Sequence, residues 1–290
     1  MSHRRGLSEK AALFFSPLPM NPDPHFLRLI VADMDGTLLD SAHQLPPDFL
    51  DLLKELNEKS IFFAVASGRQ FANLRDCFSE SFPGMIYIAE NGAYVHHANQ
   101  ELLVNTLDYS LVSEVIEYST RYPVLIPVVC GVEAAYTTCG DKNFIKLLKT
   151  YFSRIEVLSE LTGIRDRILK VTFYDPKGAE NHGCPLFRSF EPTVSVKAGS
   201  PIWVDITASG VNKGRAIQKI QEIYRIPFRS TMVFGDYLND LEMMESGWFS
   251  YAMSNAHPEV KIRSRFIAPG NDEYGVMKVL RGIFPLHTSS

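Results

Sequence analysis

The chain has 290 residues, 46% of them hydrophobic and 21% charged, a balance that fits a folded protein with a true core and excludes global disorder. Its formal net charge of -4 leaves no basic excess to grip a nucleic-acid backbone or an anionic membrane, so neither is expected as a partner. No run reaches the ~18 apolar residues that a membrane span needs.

Residues 1–25 read as a disordered N-terminal extension. Arg4-Arg5 suggests an export signal, but the apolar stretch Ala11 to Phe15 is too short and prolines follow it, so export is not expected. Met20 is an alternative start. Cys77, Cys130, Cys139 and Cys184 form no C-x-x-C pair and have no histidine cluster beside them. They are expected to be small buried thiols of a cytoplasmic protein rather than disulfide partners or zinc ligands.

Leu27 to Ala32 is a short continuous apolar run that suits a strand buried on both faces. It leads into Asp33-Met34-Asp35-Gly36-Thr37. Residues 47 to 59 have a helical pattern with Phe49, Leu52, Leu53 and Leu56 on one face. A second buried strand, Ile61 to Ala66, ends at Ser67-Gly68-Arg69, and a helix (71 to 78) and a strand (85 to 89) follow. Strand-helix-strand-helix-strand predicts an α/β fold with a doubly wound, mostly parallel sheet.

After Asn91-Gly92 the texture changes. We expect a hairpin near 93 to 105, a helix over 111 to 122, and short strands near 124–129, 134–137, 168–173, 193–197 and 202–206, with helices near 143–152 and 179–190. This reads as an inserted α+β domain spanning 93–206. The first texture returns with a helix from Lys213, a buried strand 231–234 ending at Gly235-Asp236, a short helix from Asn239, strands 248–252 and 266–268, and a closing helix from Gly275. The core domain is thus expected from 26–92 together with 207–290.

Four polar clusters follow core strands or open core helices, which is where ligands bind in open parallel sheets. In Asp33-x-Asp35-Gly36-Thr37, an ionised Asp33 can attack phosphorus once charge repulsion is cancelled, and Asp35 can serve as general acid and then base, a role that needs burial to raise its pKa. Ser67-Gly68-Arg69 offers a hydroxyl and amides to phosphate; Arg69 suits substrate contact and a structural ion pair equally well. Lys213, in Asn212-Lys213-Gly214, opposes the helix dipole and needs a compensating partner; as a compact cation it suits a transferring phosphoryl group. Gly235-Asp236-x-x-Asn239-Asp240 supplies carboxylates for a hard ion such as Mg²⁺, with helix capping the bland alternative.

The order DMDGT, SGR, NKG, GDYLND resembles the haloacid dehalogenase superfamily, and the large insert between the second and third motifs resembles its Cof-type members, over about Leu27 to Phe284. Asn91-Gly92-Ala93 and Ser254-Asn255-Ala256 fit secondary features of that group, although Ser254 stands where glycine is common. The resemblance implies a Rossmann-like core with an α+β cap, and an Mg²⁺-dependent phosphatase. Asp33 would be nucleophile and metal ligand, and Asp35 acid/base with its carbonyl on the metal. Met34, Gly36, Ser67, Gly68, Lys213 and Asn239 would bind phosphate. Asp236 and Asp240 would hold the metal. Thr37 would support Asp35, with Arg69 and Asn91 also supporting the pocket. The expected substrate is a small phosphorylated metabolite such as a sugar phosphate, flavin mononucleotide or pyridoxal phosphate. A phosphomutase of the phosphomannomutase type and a non-catalytic metabolite-binding protein are the alternatives. Tyr136, Phe173 and Trp203 are read as cap core, and His96, His97 and His182 as surface or structural residues. Oligomeric state is not legible.

Overall fold

The computed structural model describes residues 26–78 and 84–285; the extension expected over residues 1–25 lies outside them. An eight-stranded sheet runs through the core. Its elements in chain order are β1 (Leu29–Asp33), α1 (Phe49–Glu58), β2 (Phe62–Ala66), α2 (Phe71–Phe78), β3 (Met85–Ala89), β4 (Tyr94–His97) and β5 (Gln100–Val104). After the insert come α6 (Lys213–Tyr224), β12 (Thr231–Gly235), α7 (Leu241–Met244), β13 (Phe249–Met253), α8 (Pro258–Arg263), β14 (Phe266–Ala268) and α9 (Gly275–Ile283).

The strand order is β14-β13-β12-β1-β2-β3-β4-β5, with β14 through β3 parallel. Helices cover both faces, so β1, β3, β12 and β13 are buried along their whole length. This explains why they read as unbroken apolar runs rather than alternating ones. Helix α1 presents the face predicted for it: Phe49, Leu52, Leu53 and Leu56 are all buried.

The insert forms a second, six-stranded sheet. Its elements are α3 (Tyr109–Ser119), β6 (Ile126–Gly131), β7 (Ala135–Thr137), α4 (Lys142–Leu148), β8 (Ile155–Val157), β9 (Ile168–Tyr174), α5 (Cys184–Phe187), β10 (Val194–Ser200) and β11 (Trp203–Ala208). The order is β10-β11-β9-β6-β7-β8, antiparallel except between β7 and β8. Phe173 and Phe187 stack at 4.6 Å within its core.

Two expectations need correction. The hairpin β4–β5 extends the core sheet antiparallel to β3 instead of opening the inserted domain at residue 93. The turn Glu90–Gly92 folds the chain straight back onto β3, with Gly92 at φ +94° where a Cβ would meet the Asn212 carbonyl oxygen at 2.5 Å. The region 179–190 is also not one helix: a wide turn over Ala179–Gly183 precedes the four residues of α5. Among the described residues no helix is long and apolar enough to cross a membrane.

Candidate active site

Register brings the polar clusters to one edge of the core sheet. Asp33 pairs with Ala66 at the end of β2, and Ala32 with Phe234 near the end of β12. Asp33, Ser67 and Asp236 therefore emerge side by side at the carboxyl ends of three adjacent parallel strands. Gly36 turns the chain at φ +81°, and a Cβ there would lie 2.4 Å from Asp236 Oδ2, so the turn and the carboxylate need each other's space.

Lys213 opens α6 fully buried and donates to Asp33 Oδ1 at 2.5 Å and Asp240 Oδ1 at 2.7 Å. These are the partners its unfavourable helix position demanded. Oxygens of Asp33, Asp236 and Asp240 lie within 4.8 Å of one another. Burial, then Asp240 as a neighbour, pushes the Asp236 carboxyl up to about 7. Burial also raises the Asp33 carboxyl well above its usual range despite Lys213. Asp240 accepts further hydrogen bonds from the backbone N–H groups of Asp236 (2.9 Å) and Tyr237 (3.2 Å), so it rigidifies its own turn.

Asp35 departs from expectation. Burial does push its carboxyl up, but hydrogen bonds from His43 and Arg69 outweigh it and hold the group down at about 2. Arg69, 4% exposed, grips it with Nε to Oδ2 at 2.7 Å and Nη2 to Oδ1 at 2.5 Å, a bidentate fork that strongly favours the charged form. Arg69 is thus the ion-pair partner of Asp35. Thr37 also differs: its hydroxyl donates to Asp236 Oδ1 at 2.9 Å, supporting Asp236 rather than Asp35.

Met34 is buried beneath the turn, and Asn255 donates to the Gly36 carbonyl at 2.8 Å. Asn239 donates to Asn91 Oδ1 at 2.9 Å, and Asn91 donates to Asp205 Oδ2 at 2.5 Å. Asn91 thereby ties the core to the inserted domain.

A cavity of about 530 Å³ lies between the two domains. Asp33, Asp35, Ser67, Gly68, Asp236 and Asn239 line its core side. From the inserted domain it is lined by Tyr151, Phe152, Lys170, Trp203 and Asp205 among others. The inserted domain is a cap in the literal sense. Trp203, read from sequence as cap core, is 6% exposed and still faces this cavity, while Tyr136 and Phe173 pack in the cap core. Sequence reasoning missed Tyr151, Phe152, Lys170 and Asp205. Only a buried-type strand carrying a lone lysine, ILKVTF, signalled one of them.

The profile of the haloacid dehalogenase-like hydrolases matches residues 30–280. A 5-amino-6-(5-phospho-D-ribitylamino)uracil phosphatase of Escherichia coli is 28% identical over 261 residues, covering 88% of this chain and 95% of that protein. A phosphatase of Bacillus subtilis with the same named substrate is 24% identical, over 89% of this chain and 98% of that protein. A crystal structure from Streptococcus mutans superposes with a TM-score of 0.84 at 28% identity, covering 90% of this chain and all of that one.

Proposed function

Since the chain belongs to the haloacid dehalogenase-like hydrolase family and is a phosphoric monoester hydrolase, we propose that it releases phosphate from small phosphorylated metabolites through an aspartyl-phosphate on Asp33, with Mg²⁺ as cofactor. The observation that carries this reading is the buried Asp33 carboxylate, at the end of a central strand, clustered with Lys213, Asp236 and Asp240 under the cavity.

In the first step an Asp33 oxygen bonds to phosphorus as the ester P–O bond breaks, and the leaving oxygen takes a proton from Asp35. In the second, Asp35 takes a proton from water, whose oxygen attacks phosphorus and frees Asp33 and inorganic phosphate. Ser67, the amides of Met34, Gly36 and Gly68, and Asn239 bind the phosphate oxygens, while Lys213 offsets their charge. The Arg69 fork holds Asp35 ionised in this structure. An arriving phosphate monoester that carries one proton competes for the guanidinium and hands that proton to Asp35, which passes it to the leaving oxygen.

The acidic cluster fits a divalent cation. Three carboxylates face a single lysine there, and burial first, then the neighbouring carboxylates, raises Asp33 and Asp236, a cost that a divalent cation would relieve. Asp33, Asp236, Asp240 and the Asp35 carbonyl would hold it. When bound, Mg²⁺ supplies charge neutralisation between carboxylates and phosphate.

Two relatives carry the name of a heterocycle on a phosphoribityl arm, and flavin mononucleotide has the same arm. Both compounds therefore head the substrate panel, ahead of sugar phosphates and pyridoxal phosphate. The test is phosphate release across that panel with Mg²⁺ and with a chelator, alongside the Mg²⁺-induced rise in melting temperature. Asp33→Asn is expected to abolish release while remaining folded. Metal-independent release, or release by the folded Asp33→Asn protein above a trace, would overturn the reading.

A further inference from the structure

The phosphate-binding turn does not end at Arg69. Gln70, 2% exposed at the start of α2, is bound to the cap by several hydrogen bonds. Its backbone N–H donates to the Tyr151 carbonyl at 3.1 Å. Its side-chain Oε1 accepts from the N–H groups of Ser153 at 3.1 Å and Arg154 at 3.0 Å. Its Nε2 donates to the Arg154 carbonyl at 3.4 Å. One side chain of the core thus pairs with the segment 151–154 much as a strand would. Nearby, the exposed Ser153 hydroxyl donates to Asp76 at 2.6 Å.

The clipped segment carries the cavity wall. Tyr151 and Phe152 face the cavity with Trp203, whose ring meets Tyr151 edge-on at 5.8 Å. The Arg69 guanidinium lies 5.7 Å from the Tyr151 ring centroid. Ser67 and Gly68 on one side of Arg69 face the phosphate position, and Gln70 on the other side holds the aromatic wall. The distance between phosphate and wall is therefore fixed by two adjacent peptide units.

We propose that Gln70 is a positioning residue that registers the Tyr151–Phe152 wall against the phosphate-binding turn, and so sets affinity for leaving groups large enough to reach that wall, those with a flat ring above all. This rests on the phosphatase reading of the site. Without the clip the wall is seated in only a fraction of molecules, and the apparent affinity of a ligand that needs it falls by that fraction. Ligands too small to touch the wall do not sense the change.

The test compares Gln70→Met, which keeps the side-chain length and removes the acceptor, with Gln70→Glu, which keeps the acceptor. For the largest panel member that the unmodified protein hydrolyses, Gln70→Met is expected to raise KM about tenfold with kcat within about twofold, the equivalent of one or two lost hydrogen bonds. For the smallest member both constants stay within about twofold, and Gln70→Glu restores most of the KM. Hydrogen exchange at the Ser153 and Arg154 amides should quicken in Gln70→Met whether or not any substrate has been found. Should Gln70→Met fold poorly, Asp76→Ala loosens the same segment from the surface, with about a threefold rise in KM expected for the large substrate alone. Equal effects on large and small substrates, or unchanged exchange at 153 and 154, would overturn the proposal. Failure of the unmodified protein to hydrolyse any panel member would instead sink the phosphatase reading, with the exchange result still deciding the role of Gln70.

Discussion

Replacing Lys170 by methionine tests whether the cap and core are joined by buried charge. Lys170 reaches from β9 of the cap to Glu90 Oε2 at 3.0 Å and Asp205 Oδ1 at 3.5 Å, and donates to the Gly68 carbonyl at 2.6 Å. All three ionic side chains are 5% exposed or less. At the effective dielectric that suits protein sites, about 20, each attraction is worth about 5 kcal/mol. Desolvating the ammonium gives back several kcal/mol of that. The net loss expected for Lys170→Met is therefore about 3–5 kcal/mol, a large share of the 5–15 kcal/mol by which domains are typically stable. Methionine preserves the length of the stem, so the loss reports charge rather than a cavity. Urea unfolding followed by far-ultraviolet circular dichroism measures it. Adding Glu90→Gln should recover about 2 kcal/mol, because it removes one of the two carboxylates left without a counter-charge. A Lys170→Met protein within about 0.5 kcal/mol of the parent, or a double variant less stable than the single, would refute the reasoning.

Two further outcomes are expected. Arg167 of the cap makes a bidentate pair with Glu101 of β5, and this hydrogen bonding holds the Glu101 carboxyl down at about 2. A folded-state pKa below the unfolded value, ~4.3, means the contribution is present above about pH 4.5 and fades as pH falls toward 2. Both side chains are more than a third exposed, so it amounts to under about 1 kcal/mol; Glu101→Gln should flatten the acid limb of stability by that much and leave neutral stability within the same margin. Gly36→Ala should cost about 1–2 kcal/mol for its left-handed backbone, and should lower the Mg²⁺-induced rise in melting temperature, because its Cβ meets the Asp236 carboxylate at 2.4 Å. A Gly36→Ala protein whose response to Mg²⁺ matches the parent's would contradict the close approach described here.

What the sequence discloses follows from how local each signal is. The buried strands were legible because both faces are covered, so Leu29 to Ala32 and Met85 to Ala89 contain no charged residue. The clusters at Asp33, Ser67, Lys213 and Asp236 were legible because position after a strand predicts convergence without any knowledge of distance. The hairpin β4–β5 was recognised, but its sheet was not, since alternation says nothing about which edge a hairpin joins. The strand Ile155–Val157 and helix Pro258–Arg263 are too short to carry a period. Partnerships were the main loss. Asp35 is held ionised by an arginine 34 positions away, and Lys170 finds its counter-charge at Glu90 and Asp205. Nothing in a window of ten residues encodes such pairs.

The strand that carries Asp33 has one neighbour close by in sequence and the other far along it. Its pairing with β2 begins from Leu29 to Phe62, but its other edge pairs with β12, where Leu29 meets Thr231 about 200 residues later. At ribosomal speeds of roughly 5–20 residues per second, that edge waits some 10–40 seconds for its partner. During the wait an apolar strand with unpaired N–H and C=O groups is a template for association with other chains. The cap, contiguous in sequence, has all six of its strands available before β12 emerges. Biosynthesis thus favours a folded cap held between two halves of an unfinished core, with the strand of Asp33 left unpaired along one edge until β12 arrives.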